Sequence, residues 1–189
     1  MMRTLCYLLL IGLSLSCTEY TPKPRGYYRI DLPAPAYRPL PASGLPYFFR
    51  VSRLAGVDMP LETTKEQWVN LSYPDLNARI YCTFSPVTRQ SFPQAEADSR
   101  ALLRRTAGQA DKIIEKAYEN EEKQVYATLY LVEGASPSPI QFMITDRNSR
   151  FFRGALYYDC RPNGDSLAPV TEYLREDVVE LIQSFDWKK

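Results

Sequence analysis

A chain of 189 residues with 23 basic and 22 acidic side chains and no histidine is bounded before any motif is read. Balanced charge without a long basic run gives no net pull on nucleic acid, so nucleic-acid binding is not expected. Without imidazole there is no Ser-His or Cys-His nucleophile pair and no histidine-ligated zinc; neither a metal nor a cofactor is expected.

The start reads as an export signal. Met1-Met2-Arg3-Thr4 is short and positively charged, Leu5 to Leu15 is almost unbroken apolar sequence, and Ser14-Leu15-Ser16-Cys17 closes it. An apolar run of about eleven residues is too short to cross a bilayer, which needs roughly twenty, and has the layout of a secretory signal. A cysteine at the cleavage point is the mark of a bacterial lipoprotein, so residues 1–16 are expected to be removed and Cys17 lipidated. Ser14 stands where such signals prefer leucine. With Cys6 lost and Cys17 acylated, Cys82 and Cys160 remain. They could pair in an oxidising compartment or stay apart as small buried side chains.

Residues 17–46 are expected to form the lipidated cysteine and a tether, and 47–189 a single domain. Seven prolines between Pro22 and Pro46 oppose helix and ladder formation. At about 3.1 Å per residue the stretch could reach on the order of 90 Å. Inside it, Arg25-Gly26-Tyr27-Tyr28-Arg29-Ile30-Asp31 concentrates tyrosine and arginine, the residues that dominate interface energetics. Arg25, Tyr27, Tyr28, Arg29 and Asp31 are candidate partner-binding residues; the same strip could instead dock on its own domain as an edge strand.

From Tyr47 apolar residues alternate. Tyr47, Phe49 and Val51 predict a first strand, Trp68 to Tyr73 a second, and Ala78, Ile80, Cys82 and Phe84 one face of a third, with 53–66 a loop. Ser91-Phe92-Pro93-Gln94 has the form of a capping box. The stripe Ala95, Leu102, Leu103, Thr106, Ala110, Ile113, Ile114 and Ala117 then predicts one long amphipathic helix. Its other face carries Arg100, Arg104, Arg105 and Lys112, usually a solvated arrangement. Three strands follow, around Val125–Leu131, Ile140–Thr145 and Phe151–Tyr158, joined by short links that favour antiparallel neighbours. Val170, Leu174, Val178, Leu181, Ile182 and Phe185 predict a second helix near Pro169–Phe185, with an acidic ridge of Glu172, Glu176 and Glu180. The order βββ-α-βββ-α predicts an α+β fold, a mostly antiparallel sheet of about six strands packed with two long amphipathic helices.

The segments Pro22–Pro33, Val125–Tyr130, Gln141–Asp146, Phe152–Tyr158, Pro162–Pro169 and Phe185–Lys188 together resemble the gliding motility lipoprotein GldD family of Bacteroidota, across nearly all of the mature chain. The resemblance implies a non-enzymatic envelope lipoprotein linked to gliding and the type IX secretion machinery, whose proteins would be its partners. The strand and helix order is also similar to the Mog1/PsbP type of layer, a fold analogy that does not fix function. Asp165-Ser166-Leu167 resembles the O-glycosylation sequon of exported proteins in that phylum, with Ser166 as acceptor; Asp165 or Ser166 could equally cap the second helix. A single acidic residue after the lipidated cysteine, in Thr18-Glu19-Tyr20, favours the periplasmic face of the outer membrane over surface display. No nucleophile, phosphate-loop or redox motif is present. The alternative to a scaffold is a periplasmic glycan- or small-ligand-binding lipoprotein, with Tyr126, Tyr130, Tyr157 and Tyr158 lining a concave pocket.

Overall fold

The computed structural model describes residues 32–42, 44–60, 67–160 and 164–188. Its centre is a seven-stranded, wholly antiparallel sheet. In chain order its strands are β4 (Gly56–Asp58), β5 (Trp68–Tyr73), β6 (Ala78–Pro86), β7 (Gln109–Asn120), β8 (Val125–Ala135), β9 (Ile140–Thr145) and β10 (Arg150–Tyr158), arranged β4-β5-β6-β10-β9-β8-β7. Two small ribbons flank it: β1 (Tyr37–Pro39) on β3 (Arg50–Ser52), and β2 (Tyr47–Phe48) on β11 (Asp186–Trp187). The helices are α1 (Phe92–Ala107) and α2 (Gly164–Ser184). The α+β class, the two helices and the large antiparallel sheet are as expected.

Strand alternation sorts the sheet into two faces. Val69, Leu71 and Tyr73 of β5, Ile80 and Cys82 of β6, Leu129 of β8, Phe142 and Ile144 of β9, and Phe152 and Leu156 of β10 all bury against the stripe Val170, Leu174, Val178, Leu181 and Ile182 of α2. At one end of this core Tyr47, Phe49, Phe152, Phe185 and Trp187 pack ring on ring, with centroids 4.7 Å apart for Tyr47–Phe152 and for Phe185–Trp187. Each such pair adds about 0.5–1.5 kcal/mol beyond its buried area. The Trp187 indole N–H donates to the Gln124 carbonyl at 3.0 Å. The chain's end is thereby fastened to both the start of the domain and the β7–β8 turn. On the opposite face α1 covers a smaller cluster, Leu103 and Ala107 against Tyr130, Val132, Met143 and Phe151.

Several expectations are corrected. The long helix expected from Ser91 to Ala117 ends at Ala107, and residues 109–120 are β7, paired with β8 from Gln109–Ala135 to Asn120–Val125. Gly108, at φ 59° and ψ −116°, breaks the helix in a conformation that side chains disfavour. The three- and four-residue apolar spacing beyond it is equally compatible with a strand that shows one apolar position to each face in turn. The sheet reaches seven strands through β7 and through β4, which lies in the segment 53–66 expected to be a loop, whereas the expected first strand from Tyr47 splits into β2 and β3 in the two ribbons outside it. The capping box does not form: Ser91 is itself helical in backbone, Gln94 donates to Asp98, and the Ser91 hydroxyl accepts from the Thr88 N–H at 2.9 Å. The second helix begins at Gly164, so Pro169 lies inside it.

The tether boundary moves as well. Residues 32–42 and 44–46 belong to the domain: β1 pairs β3 from Tyr37–Ser52 to Pro39–Arg50, Arg38 donates to the Ala55 carbonyl at 3.0 Å, and Leu40 and Leu45 are core residues. Each buried leucine contributes about 1.5–3 kcal/mol, which outweighs the reluctance of proline to enter a ladder. Pro39 sits at the last position of an edge ribbon, where that reluctance is least. Finally, Cys82 and Cys160 are both free. Cys82 faces the α2 core opposite Gly154, whereas Cys160 is exposed beyond the far end of β10. Four residues of strand, about 13 Å, separate the Gly154 position beside Cys82 from Tyr158, and Cys160 lies beyond it, out of reach of a disulfide.

Candidate interaction site

The candidate partner-binding strip Arg25, Tyr27, Tyr28, Arg29 and Asp31, and the lipidation site Cys17, lie outside the described residues. Ser166 is exposed in the first turn of α2, a position open to modification. The acidic ridge is partly neutralised: Glu172 pairs with Arg175, and Glu180 with Arg50 at 2.9 Å. The expected basic helix face is divided, because Lys112 belongs to β7 and Arg100 bridges Glu96 and Glu115, both at 3.3 Å, beneath α1.

The four tyrosines proposed to line one pocket do not meet. Tyr130 is buried under α1, with the Arg100 guanidinium 5.7 Å from its ring. Tyr126 is stacked under Arg147 at 3.7 Å, which also pairs with Glu119 at 2.7 Å. Tyr158 faces α2 and shares a 2.8 Å hydrogen bond with Thr171. Only Tyr157 remains on the partly open side. A cavity of about 220 Å³ near Tyr126 is lined by Glu96, Glu119, Thr128 and Arg147; it falls below the roughly 300–1,000 Å³ of typical ligand pockets.

Among the described residues, α1 covers only half of its side of the sheet. On β9 and β8 the helix sits directly on the strands, with Gln141 donating to the Thr106 hydroxyl at 2.6 Å. Across β10, β6 and β5 the register sets out a different group. Arg79 lies opposite Tyr157 and Ser72, Tyr81 opposite Ala155 and Asn70, and Thr83 opposite Arg153 and Trp68. Tyr81 and Tyr157 meet edge to face with centroids 5.8 Å apart, and the Arg79 guanidinium lies 5.8 Å from the Tyr81 ring. Tyr81 is 41% exposed. Arg79 Nε is buried without an acceptor. Burial lowers the Arg153 pKa from its ordinary value, with Tyr157 acting against the shift. The sequence reading missed Arg79, Tyr81 and Arg153. Their signal was polar and aromatic residues at the outward positions of strands, but which of them become neighbours depends on pairing register.

A second polar group lies on the α2 side. Asp177 is 5% exposed, with the hydroxyls of Ser52, Tyr73 and Tyr37 gathered about its carboxylate. Burial raises the Asp177 pKa, and the hydroxyls of Tyr73, Ser52 and Tyr37 only partly oppose that rise. The cluster joins β1, β3, β5 and α2 inside the domain, so it is a structural feature rather than a surface for a partner.

The family model for gliding motility lipoprotein GldD matches residues 17–187. The chain belongs to the GldD family. The match begins at Cys17, the residue expected to carry lipid, and runs through Trp187 in the terminal aromatic cluster. GldD membership makes this a lipoprotein associated with gliding motility, held in the cell envelope by its lipid. No curated protein matches the chain.

Proposed function

We propose that this GldD-family chain is a non-enzymatic scaffold or accessory component of the gliding motility and type IX secretion machinery. The reading rests on the family match over residues 17–187. In it, Cys17 anchors the protein to the periplasmic face of the outer membrane, and the domain from Leu32 onward binds envelope proteins. The ligand-pocket alternative is less favoured because Tyr158 faces α2 while, on the α1 side, Tyr130 is buried under the helix, Tyr126 lies under Arg147 and Tyr157 meets Tyr81.

Crosslinking of the native envelope, purification through a tag and mass spectrometry test the proposal. Gliding or type IX secretion components are the expected companions, lost on alanine substitution of Tyr27, Tyr28 and Arg29 if that strip is a contact. Recovery of the lipoprotein alone contradicts the scaffold.

A further inference from the structure

The half of the α1-side sheet face beyond α1 carries a charge pattern that no described residue completes. Among the described residues neither Arg79 nor Arg153 takes part in an ion pair. Of the described carboxylates, Asp58 opposite Asn70 at the sheet edge and Asp159 just past β10 are near in register; neither forms an ion pair with Arg79 or Arg153. A partly desolvated guanidinium without an acceptor is costly, and a charged acceptor recovers the most. Between the cations lie Tyr81 and the small Ala155, and Tyr157, beside Arg79, meets the Tyr81 ring to complete an aromatic floor suited to apolar side chains. Arginine and tyrosine together are the composition of interface hot spots.

We propose that this face docks an extended acidic segment of a protein partner, its carboxylates on Arg79 and Arg153 and an apolar side chain between them on Tyr81 and Tyr157. The inference rests on the scaffold reading and adds to it a site and a partner chemistry. Arg79 and Arg153 sit on neighbouring strands, four residues apart in register, which places their backbones about 14 Å apart. An extended peptide covers that distance in about four residues, and residues i, i+2 and i+4 share one side. The fitting motif is therefore an acidic residue, an apolar residue two positions later and an acidic residue four positions later. A sheet face of this kind, with the cavity near Tyr126 lying elsewhere, favours a polypeptide over a small glycan, which calls for a concave pocket.

The test uses the full-length lipoprotein in detergent and a fluorescein-labelled heptapeptide with glutamate at its second and sixth positions and leucine at its fourth. Anisotropy at low salt is expected to show binding with Kd below about 1 mM, weakening as salt rises. A peptide with lysine in place of glutamate should not bind. Arg79→Glu and Arg153→Glu should each weaken binding about tenfold or more, while the exposed Arg53→Glu leaves it unchanged. Arg153→Gln, close in volume, should weaken binding without altering the thermal melt, which separates a lost contact from a lost fold. Absence of glutamate-peptide binding, equal binding of the lysine peptide, or retained binding in both arginine variants overturns the proposal. So does binding of polygalacturonate in place of the peptide, which would assign the face to an anionic glycan. If envelope crosslinking recovers the machinery equally well with Arg79→Glu and Arg153→Glu, the scaffold stands and this face falls. If the peptide binds as expected while no machinery is recovered, the face stands and the machinery assignment falls.

Discussion

Single side chains in this domain have consequences that alternation alone does not reveal. Gly154 faces the α2 core between Cys82 and Phe142, and a Cβ there would run into the Phe142 ring. The ring is itself buried, so Gly154→Ala should cost about 1–3 kcal/mol in denaturant unfolding. Burial holds the Cys82 thiol well above its ordinary pKa, and thiolate is the reactive form. Maleimide labelling of native protein followed by peptide mapping should therefore find Cys160 modified and Cys82 untouched; labelling of Cys82 before unfolding would contradict its burial. Two carboxylates give opposite pH slopes. Burial raises Asp177 above 3.8, so the folded state binds the extra proton; its contribution is full below that value and is lost as pH rises through the folded pKa. Burial pushes Asp146 upward too, but the N–H groups of Ser149, Asn148 and Arg150 hold it below 3.8; its contribution is present above that value and lost as pH falls. Asp177→Asn should thus flatten the fall in stability from about pH 4 towards neutrality, measured by urea midpoints across pH, while leaving the acid limb in place.

Among the elements, the junction of α1 and β7 is decided at one residue. Leu102, Leu103 and Thr106 continue in sequence to Ala110, Ile113 and Ile114 with helical spacing, yet the chain turns at Gly108 and extends. The ladder with β8 then supplies hydrogen bonds along twelve residues. Gly108→Ala keeps the spacing and removes the freedom; it should cost about 1–3 kcal/mol, read as a lower thermal midpoint. An unchanged midpoint would mean that the turn tolerates a side chain. As an edge strand β7 carries Asp111, Lys112, Glu115, Lys116 and Glu119, the charged composition that discourages pairing with other chains. For that reason the α1-side face, not the sheet edge, is the better docking surface.

At the scale of the molecule, the domain is closed by segments from both ends of the described chain. β1 and β2 at one end and β11 at the other pack onto a core made of β5 to β10 and α2. Removal of residues 1–31 should leave the thermal midpoint of the soluble domain within about 2 °C, whereas removal of residues 1–46 deletes β1, Leu40 and Leu45 and should cost about 3 kcal/mol or more. Equal melts for the two truncations would return residues 32–46 to the tether. The half-covered sheet follows from the same architecture. α2 is long enough to cover its side of the sheet, while α1 stops at Ala107 and spans only β8, β9 and the start of β10.

What the sequence determined by itself is local and periodic. The Pro22–Pro33 and Phe152–Tyr158 segments carried the family resemblance. The alternation of Tyr47, Phe49 and Val51, of Ala78, Ile80 and Cys82, and of Val125, Ala127 and Leu129 showed which side chains enter the core. The stripe from Val170 to Phe185 identified α2 as the covering helix. These are consequences of a two-residue or 3.6-residue repeat read along one chain. Tertiary structure decided what depends on partners distant in sequence. It made a strand of residues 109–120 because β8 is there to pair with, and it drew Leu40 and Leu45 into the core because β3 offered an edge. It kept Cys82 from Cys160 because register sets them far apart. It also brought Arg79, Tyr81, Arg153 and Tyr157 onto one open face, since no local pattern records which strands lie side by side.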